Sequence, residues 1–242
     1  MRTLHWFLGS AVAALLAAPC AAQLVQPAGG TVIQVMSSSA PEDALMNVGS
    51  SDWKLASPKK VSLNRTPPLF DTDEPASMEI STADVRVLRA GGKVFVQLRW
   101  QDKTRDATTL EPVPDSPPEK RFRKVPTESE DRFFDAAAVM VPVRPMSTSN
   151  PSLQMGDPGN PVHIYYWNAV RGAMLMEAQG RSTTRRTGQG FPAVAAYQNE
   201  QWTVTFEMVD LPAVTPIAFA IWNGSQKDRD GRKYFSVWYR LE

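Results

Sequence analysis

The stretch DVRVLRAGGKVFVQLRW, residues 84–100, decides the fold class. On both sides of Gly91-Gly92, apolar and polar side chains alternate with a period of two, as in a strand with one buried face. Two glycines between two such runs predict a tight β-hairpin, because glycine readily adopts the positive φ angles of the turn. The stretch therefore predicts two neighbouring antiparallel strands.

Other short apolar or alternating segments predict further strands, at residues 133–143, 162–167, 201–208, 217–222 and 234–240. No long segment has the 3.6-residue spacing of an amphipathic helix. The chain also contains 20 prolines and 14 glycines, many of them between these runs. Together these features predict an all-β fold, an antiparallel β-sandwich with long loops and little helix.

The N-terminal residues 1–22 are typical of a secretory signal peptide. Arg2 precedes an apolar run that is shorter than the roughly 20 residues of a membrane span, and small residues precede Gln23. We expect a periplasmic protein without a membrane span. We expect residues 23–45 to form a loosely ordered arm with one possible strand, and residues 46–242 to form a single sandwich domain.

Charge and cysteine content exclude several classes of partner and site. Beyond the predicted signal peptide the chain carries 25 basic and 25 acidic residues, which argues against nucleic acid as the main ligand. The only cysteine, Cys20, lies within the signal peptide, so we expect no disulfide. Neither a Cys/His zinc site nor a covalently attached c-type haem can be assembled.

No catalytic constellation is evident. A Ser-His-Asp triad would have to use His163, and no nucleophile-elbow motif accompanies it. The loop at residues 226–231 lacks the first and last acidic ligands of a calcium loop. A pair of glycosidase carboxylates has no sequence signature and stays open. What remains is a binding module or a protein with a noncovalent cofactor.

Two charged segments interrupt the sheet pattern. Residues 105–132 are rich in proline and in both charges, and residues 180–190 contain Arg181, Arg185 and Arg186. Both segments are typical of solvated loops, and long loops on a sandwich are also where partners dock.

Two side chains could bind a metal. Met155 stands beside Gly156 in a proline-rich loop, where it either fills a gap or offers its thioether as a ligand. Strict alternation puts Lys233 on a face with Phe235, Val237 and Tyr239. From the residues alone, a lysine that extends into solvent is favoured over a buried, neutral amine.

The ordered set of motifs resembles a known family, the haem b-binding γ subunits of periplasmic molybdenum enzymes of the dimethyl sulfoxide reductase type. Ethylbenzene dehydrogenase, dimethyl sulfide dehydrogenase, selenate reductase and chlorate reductase contain such subunits. The matching pieces are Trp100-Gln101-Asp102, Phe134 to Val139, Met155-Gly156, Pro161 to Ala169, Gln201 to Phe206, Ala218 to Gly224, and Gly231-Arg232-Lys233.

The resemblance implies one noncovalent haem b, held by a methionine and a lysine. These ligands fall on Met155 and Lys233, with Lys227 as a reserve. Tyr165 or Trp167 could line the haem-binding slot, and so could Trp222 or Phe235. Arg181, Arg185 or Arg186 could pair with the haem propionates.

The resemblance also implies a function and partners. The subunit would be non-catalytic and would pass single electrons. Its partners would be a molybdenum-containing catalytic subunit, an iron–sulfur subunit and a periplasmic cytochrome c or similar carrier. The alternative from the residues is a haem-free sandwich that binds a sugar or small ligand, or that has a structural role.

Overall fold

The computed structural model describes residues 24, 30–67, 77–107, 110–112, 122–124, 133–144 and 149–242. The predicted signal peptide lies outside the described residues. Within them, α1 (Glu42–Leu45) is the one α-helix, and two large, mostly antiparallel sheets account for most of the strands. The predicted all-β sandwich with little helix is confirmed.

The strands follow one another along the chain as β1 (Val32–Ile33), β2 (Val35–Ser37), β3 (Lys59–Ser62), β4 (Asn64–Arg65), β5 (Thr82–Ala90), β6 (Lys93–Gln101), β7 (Leu110–Pro112), β8 (Phe122–Lys124), β9 (Ala136–Pro142), β10 (Val162–Asn168), β11 (Gly172–Ala178), β12 (Arg185–Arg186), β13 (Ala193–Gln198), β14 (Gln201–Met208), β15 (Thr215–Trp222), β16 (Tyr234–Phe235) and β17 (Tyr239–Leu241).

Among the described strands, the larger sheet has the order β1-β17-β15-β9-β10-β11-β12, and β16 joins β15 to β4. The smaller sheet has the order β13-β14-β6-β5-β2, and β3 also pairs with β5. The glycine hairpin forms as predicted, because β5 and β6 pair antiparallel with Ala90 opposite Lys93. Gly91 and Gly92 take φ angles of 58° and 75° in the turn.

The main core lies between the two sheets. Val87 and Val96 of the hairpin are fully buried there, and so are Val139 and Phe219 of the larger sheet. The two sheets meet through aromatic side chains, with the ring centroids of Trp167 and Trp202 5.1 Å apart. Burial of this apolar area is the main stabilising term of the fold.

The outer face of the smaller sheet is covered by the N-terminal part of the chain. Leu45 of α1 and Trp53 of a 3-10 helix (Ser51–Leu55) pack on Leu88 and Phe95. The described part of the expected N-terminal arm is paired with both sheets, since β1 lies parallel to β17 and β2 parallel to β5.

The last predicted strand differs from the structure. Residues 234–240 form two short strands, β16 and β17, and Ser236 between them exchanges hydrogen bonds with the backbone of Phe219. The break reverses the alternation, so Val237 and Tyr239 join the main core beside Tyr234. The prediction that Lys233 shares a face with Val237 and Tyr239 is therefore wrong.

The two charged segments contain short strands. Backbone pairing of β7 with β8 forms a hairpin within residues 105–132. In residues 180–190, β12 forms the edge of the larger sheet, and Arg185 and Arg186 are exposed there.

Candidate functional site

The larger sheet has a second apolar cluster on its outer face, which we call the outer-face cluster. Its members are the buried Ala136, Ala138, Val162, Ile164, Ala178 and Trp222, and the half-buried Met140, Met155, Tyr166, Met176, Ala220 and Trp238. Both faces of the larger sheet are therefore apolar, whereas a sheet in a two-layer sandwich usually exposes polar residues on its outer face.

Small side chains form the centre of this face. Ala138 lies opposite Ala220, and Ala136 lies opposite Trp222 in the pairing of β9 with β15. Alanine is disfavoured in strands because it packs little surface, so adjacent alanines on two central strands indicate a need for space above the sheet. Larger side chains rise around these methyl groups.

Aromatic residues stand at both ends of the cluster. At one end the rings of Tyr166 and Trp222 meet edge to face with centroids 5.3 Å apart, and burial raises the pKa of Tyr166. At the other end the indole Nε1 of Trp238 donates to the carbonyl of Pro151 at 2.8 Å. Trp238 thereby ties the C-terminal strands to the loop that carries Met155.

The backbone presents Met155 to the cluster in a conformation unusual for methionine. Its φ is 67°, in the left-handed region, and its carbonyl accepts a hydrogen bond from the amide of Gly180 at 2.8 Å. A Cβ on the next residue, Gly156, would lie 2.8 Å from the carbonyl oxygen of Asn160, so only glycine fits there. The Thr184 hydroxyl donates to the Met155 sulfur at 3.4 Å.

Lys233 approaches the same cluster from the segment that precedes β16. Its neighbour Phe235 pairs with Ala220, which places the Lys233–Phe235 side on the outer face. The Lys233 Nζ lies 5.5 Å from the centroid of the Trp222 ring and donates to the carbonyl of Asp230 at 3.3 Å. Burial lowers the pKa of Lys233, and the Arg181 guanidinium lowers it further, whereas Asp230 acts in the opposite direction.

Thr66 fixes the backbone of Lys233. The Thr66 hydroxyl accepts from the Lys233 amide at 2.8 Å and lies 2.8 Å from the Lys233 carbonyl, to which the Thr66 amide also donates at 3.0 Å. A residue held at both its amide and its carbonyl has little freedom to rotate. The direction of the Lys233 Cα–Cβ bond is therefore fixed by the backbone.

A buried ion pair shapes the loop that precedes Lys233. The Asp228 side chain is fully buried and accepts a hydrogen bond from the Asn223 amide at 3.1 Å. It also accepts hydrogen bonds from both terminal nitrogens of Arg65, at 2.6 and 2.5 Å. Bidentate pairing of this kind is geometrically specific.

A buried carboxyl group holds the other end of this loop. Asp135 is fully buried, and it accepts from the Gly224 amide at 3.0 Å and from the Trp202 indole at 2.9 Å. Burial raises the pKa of Asp135. Burial, with a smaller contribution from Asp135, also raises the pKa of the neighbouring Asp102 to about 7.

Four of the sequence-predicted site residues lie on the outer face, and two do not. The structure places Met155, Lys233, Trp222 and Phe235 on that face. Tyr165 and Trp167 point into the main core instead, since successive residues of a strand alternate between faces.

Lys227, the reserve ligand, and His163, the histidine considered for a triad, are also apart from the cluster. His163 shares the inner side of β10 with Tyr165 and lies 3.9 Å from Glu177. Lys227 has an exposed side chain and caps a 3-10 helix (Gly224–Gln226) with a φ of 56°.

Sequence reasoning missed several members of the cluster, among them Tyr166, Trp238, Met140 and the alanines. For Tyr166 a signal was present, because alternation puts it with Val162 and Ile164 on the face opposite Tyr165. The alanines give no sequence signal, since their role depends on which strands become neighbours.

The arrangement offers a neutral thioether and an amine of lowered pKa beside one apolar surface. Both groups can act as ligands to iron, and an apolar surface suits a flat, hydrophobic cofactor. Among the described residues, no group of three or more His, Cys, Asp or Glu side chains could hold a metal ion. Two donors beside an apolar surface fit a flat cofactor that brings further metal ligands of its own.

No described helix is long and apolar enough to cross a membrane.

Comparison with known proteins identifies related sequences along most of the chain. The profile of the family described as ethylbenzene dehydrogenase matches residues 50–201. A protein named as a respiratory nitrate reductase heme subunit from Haloferax mediterranei is 30% identical over 212 residues, which cover 83% of this chain and 69% of that protein.

Two further relatives carry subunit names. The chlorate reductase subunit gamma of Ideonella dechloratans is 28% identical over 97% of this chain and 94% of its own length. The dimethylsulfide dehydrogenase subunit gamma of Rhodovulum sulfidophilum is 30% identical over 63% of this chain and 57% of its own length.

Proposed function

The chain belongs to the ethylbenzene dehydrogenase family, and from that premise we propose that it binds one noncovalent haem b through Met155 and Lys233. It is a gamma-type haem subunit of an oxidoreductase complex, and it transfers electrons rather than carrying out catalysis. The observation that supports this ligand pair is that Met155 packs against the outer-face cluster and that the Lys233 amine lies 5.5 Å from the ring of Trp222, a member of the same cluster.

Each ligand has a suitable electronic state. Thioether sulfur is neutral and soft, and as an axial ligand it favours ferrous iron and raises the reduction potential. An ammonium group has no free electron pair, so Lys233 must be neutral to bind iron. Burial and the Arg181 charge both favour that neutral form by lowering the pKa of Lys233.

The surrounding residues give the site an apolar lining and hold the Lys233 side in place. Trp222, Tyr166 and Trp238 cover the ends of the cluster, while Thr66 and the Arg65–Asp228 pair hold the Lys233 side. When bound, haem supplies a one-electron couple. Held by the side chains of both Met155 and Lys233, the group would exchange electrons and would not bind substrate.

Haem binding is tested by titrating haem into the purified chain and recording optical spectra in both oxidation states. We expect a six-coordinate, low-spin ferrous spectrum with sharp α and Soret bands and a stoichiometry of one. A protein that stays colourless after haem supplementation would instead support a haem-free sandwich that binds a small ligand or has a structural role.

The partners follow from the assembly in which such subunits work. The chain is a subunit of a multi-subunit reductase or dehydrogenase complex. We propose that it contacts a molybdenum-containing catalytic subunit and an iron–sulfur subunit, and that it exchanges electrons with a periplasmic cytochrome c or similar carrier. Expression of the whole complex with a tag on this chain should co-purify two larger chains, whereas full enzymatic activity of the isolated chain would contradict the assignment.

Export to the periplasm is part of the proposal. Residues 1–22 would be removed as a signal peptide, and residues 46–242 would form the haem-binding domain. N-terminal sequencing of the exported protein should begin at Gln23. A mature protein that retains Met1 would contradict export by cleavage.

A further inference from the structure

Basic side chains surround the two loops that carry Met155 and Lys233, and most of them are already engaged. The Arg185 guanidinium pairs with Glu177 at 3.0 Å, Arg232 lies 3.7 Å from Asp228, and Arg229 lies over the ring of Phe133. Arg181 and Arg186 differ, because both are exposed and neither has an ion-pair partner among the described residues.

Arg181 directly follows the residue that is hydrogen-bonded to the Met155 loop. Its neighbour Gly180 donates to the Met155 carbonyl at 2.8 Å, which fixes this loop to the methionine. On the other side, the Arg181 charge is close enough to the Lys233 amine to lower its pKa. Since Arg181 is exposed and directly follows Gly180, it lies at the solvent-exposed rim of the cluster on the Met155 side.

We infer that Arg181 is the cation that binds a haem propionate at this rim. The inference rests on the proposed haem site and extends it to a carboxylate-binding position. Haem b carries two carboxylates at one edge, and in an apolar site this edge must face solvent or a cation. A guanidinium is suited to the role, since its planar donors match carboxylate geometry.

Arg181 is also distinguished from the two other arginines of its loop. Arg185 lies opposite Glu177, on the face of the sheet that points away from the cluster, and its charge is already compensated. Arg186 lies opposite Met176 on the outer face, but at the outermost strand of the sheet. Arg181, in contrast, directly follows Gly180, whose amide donates to the Met155 carbonyl.

A haem derivative without carboxylates tests the assignment directly. The haem-free full-length chain and its Arg181→Leu and Arg185→Leu variants are titrated with haem b and with haem b dimethyl ester, and binding is followed by the Soret band. Arg181→Leu should weaken haem b binding by about tenfold, the effect of one charge-assisted hydrogen bond. It should bind the dimethyl ester as tightly as the wild type, and Arg181→Lys should recover part of the loss.

The Arg185→Leu variant is the matched control and should bind both compounds like the wild type. Unchanged haem b binding by Arg181→Leu would overturn the inference. An equal loss with the dimethyl ester would also overturn it, because the arginine would then act on the loop rather than on the carboxylate. In both cases a low-spin wild-type spectrum would leave the proposed haem site standing, whereas a wild type that binds no haem would overturn both.

Discussion

Arg65 and Asp228, 163 positions apart in the chain, form a bidentate ion pair whose carboxylate is completely buried. The pair joins β4 to the loop that ends at Lys233. Because β4 also pairs with β16, the strand that follows Lys233, both sides of this lysine are held by the same short segment of chain.

Removing the buried carboxylate should loosen this loop. Asp228→Ala leaves Arg65 without its partner, and breaking a buried ion pair from one side costs about 3 kcal/mol of unfolding free energy. We expect that loss in chemical denaturation together with weaker haem binding. The control is Asp210→Ala, which removes the exposed partner of Arg89 and should cost under about 1 kcal/mol without affecting haem. Haem affinity unchanged in Asp228→Ala would show that the loop is positioned by other contacts.

Thr66 offers a finer change on the same side. Thr66→Val keeps the shape of the side chain but removes the hydroxyl that contacts both the amide and the carbonyl of Lys233. The cost should be about 1 kcal/mol, and part of the ferric haem should become high-spin as Lys233 loses its fixed direction. Thr66→Ser retains the hydroxyl and should restore the low-spin spectrum. Identical spectra for all three proteins would contradict a positioning role.

The buried Asp102 gives the fold a pH dependence. Burial raises the pKa of this carboxyl to about 7, so the folded state binds more protons than the unfolded state between about pH 4 and pH 7. Stability from this group should be fully present below pH 4 and decline as the pH rises to 7, by at most about 1.4 kcal/mol per pH unit. Asp102→Asn should flatten the dependence of the unfolding free energy on pH, measured by chemical denaturation at a series of pH values across this range. An unchanged dependence would show that another group is responsible for it.

Most of the fold could be predicted because its signals are local. The alternation in residues 84–100 and the Gly91-Gly92 turn are properties of adjacent residues, and the hairpin formed as expected. In contrast, β11 and β13 were missed. Their sequences, GAMLMEA and AVAAYQ, are rich in alanine and methionine rather than in the β-branched residues that mark strands.

The site could be predicted only in part because it depends on long-range neighbours. The motif around Met155 and the motif around Lys233 were found separately, and their common face follows from the pairing of β9 with both β10 and β15. The sequence led to Tyr165 rather than Tyr166 as a lining residue of the haem-binding slot, although the two are adjacent. A one-residue shift in a strand moves a side chain to the other face, so aromatic content alone could not choose between them.

The most direct test of the central claim is carbon monoxide binding to the ferrous protein, compared between two lysine variants. Lys233→Ala should open one axial position, which gives high-spin haem that binds carbon monoxide readily, while the circular dichroism of the β-sandwich is retained. The control is Lys227→Asn, because asparagine tolerates the left-handed backbone at this position. Its haem should remain six-coordinate and should not bind carbon monoxide. Met155→Ala should likewise lose the low-spin spectrum. If Lys233→Ala keeps the native spectrum and excludes carbon monoxide, ligation by Lys233 is wrong.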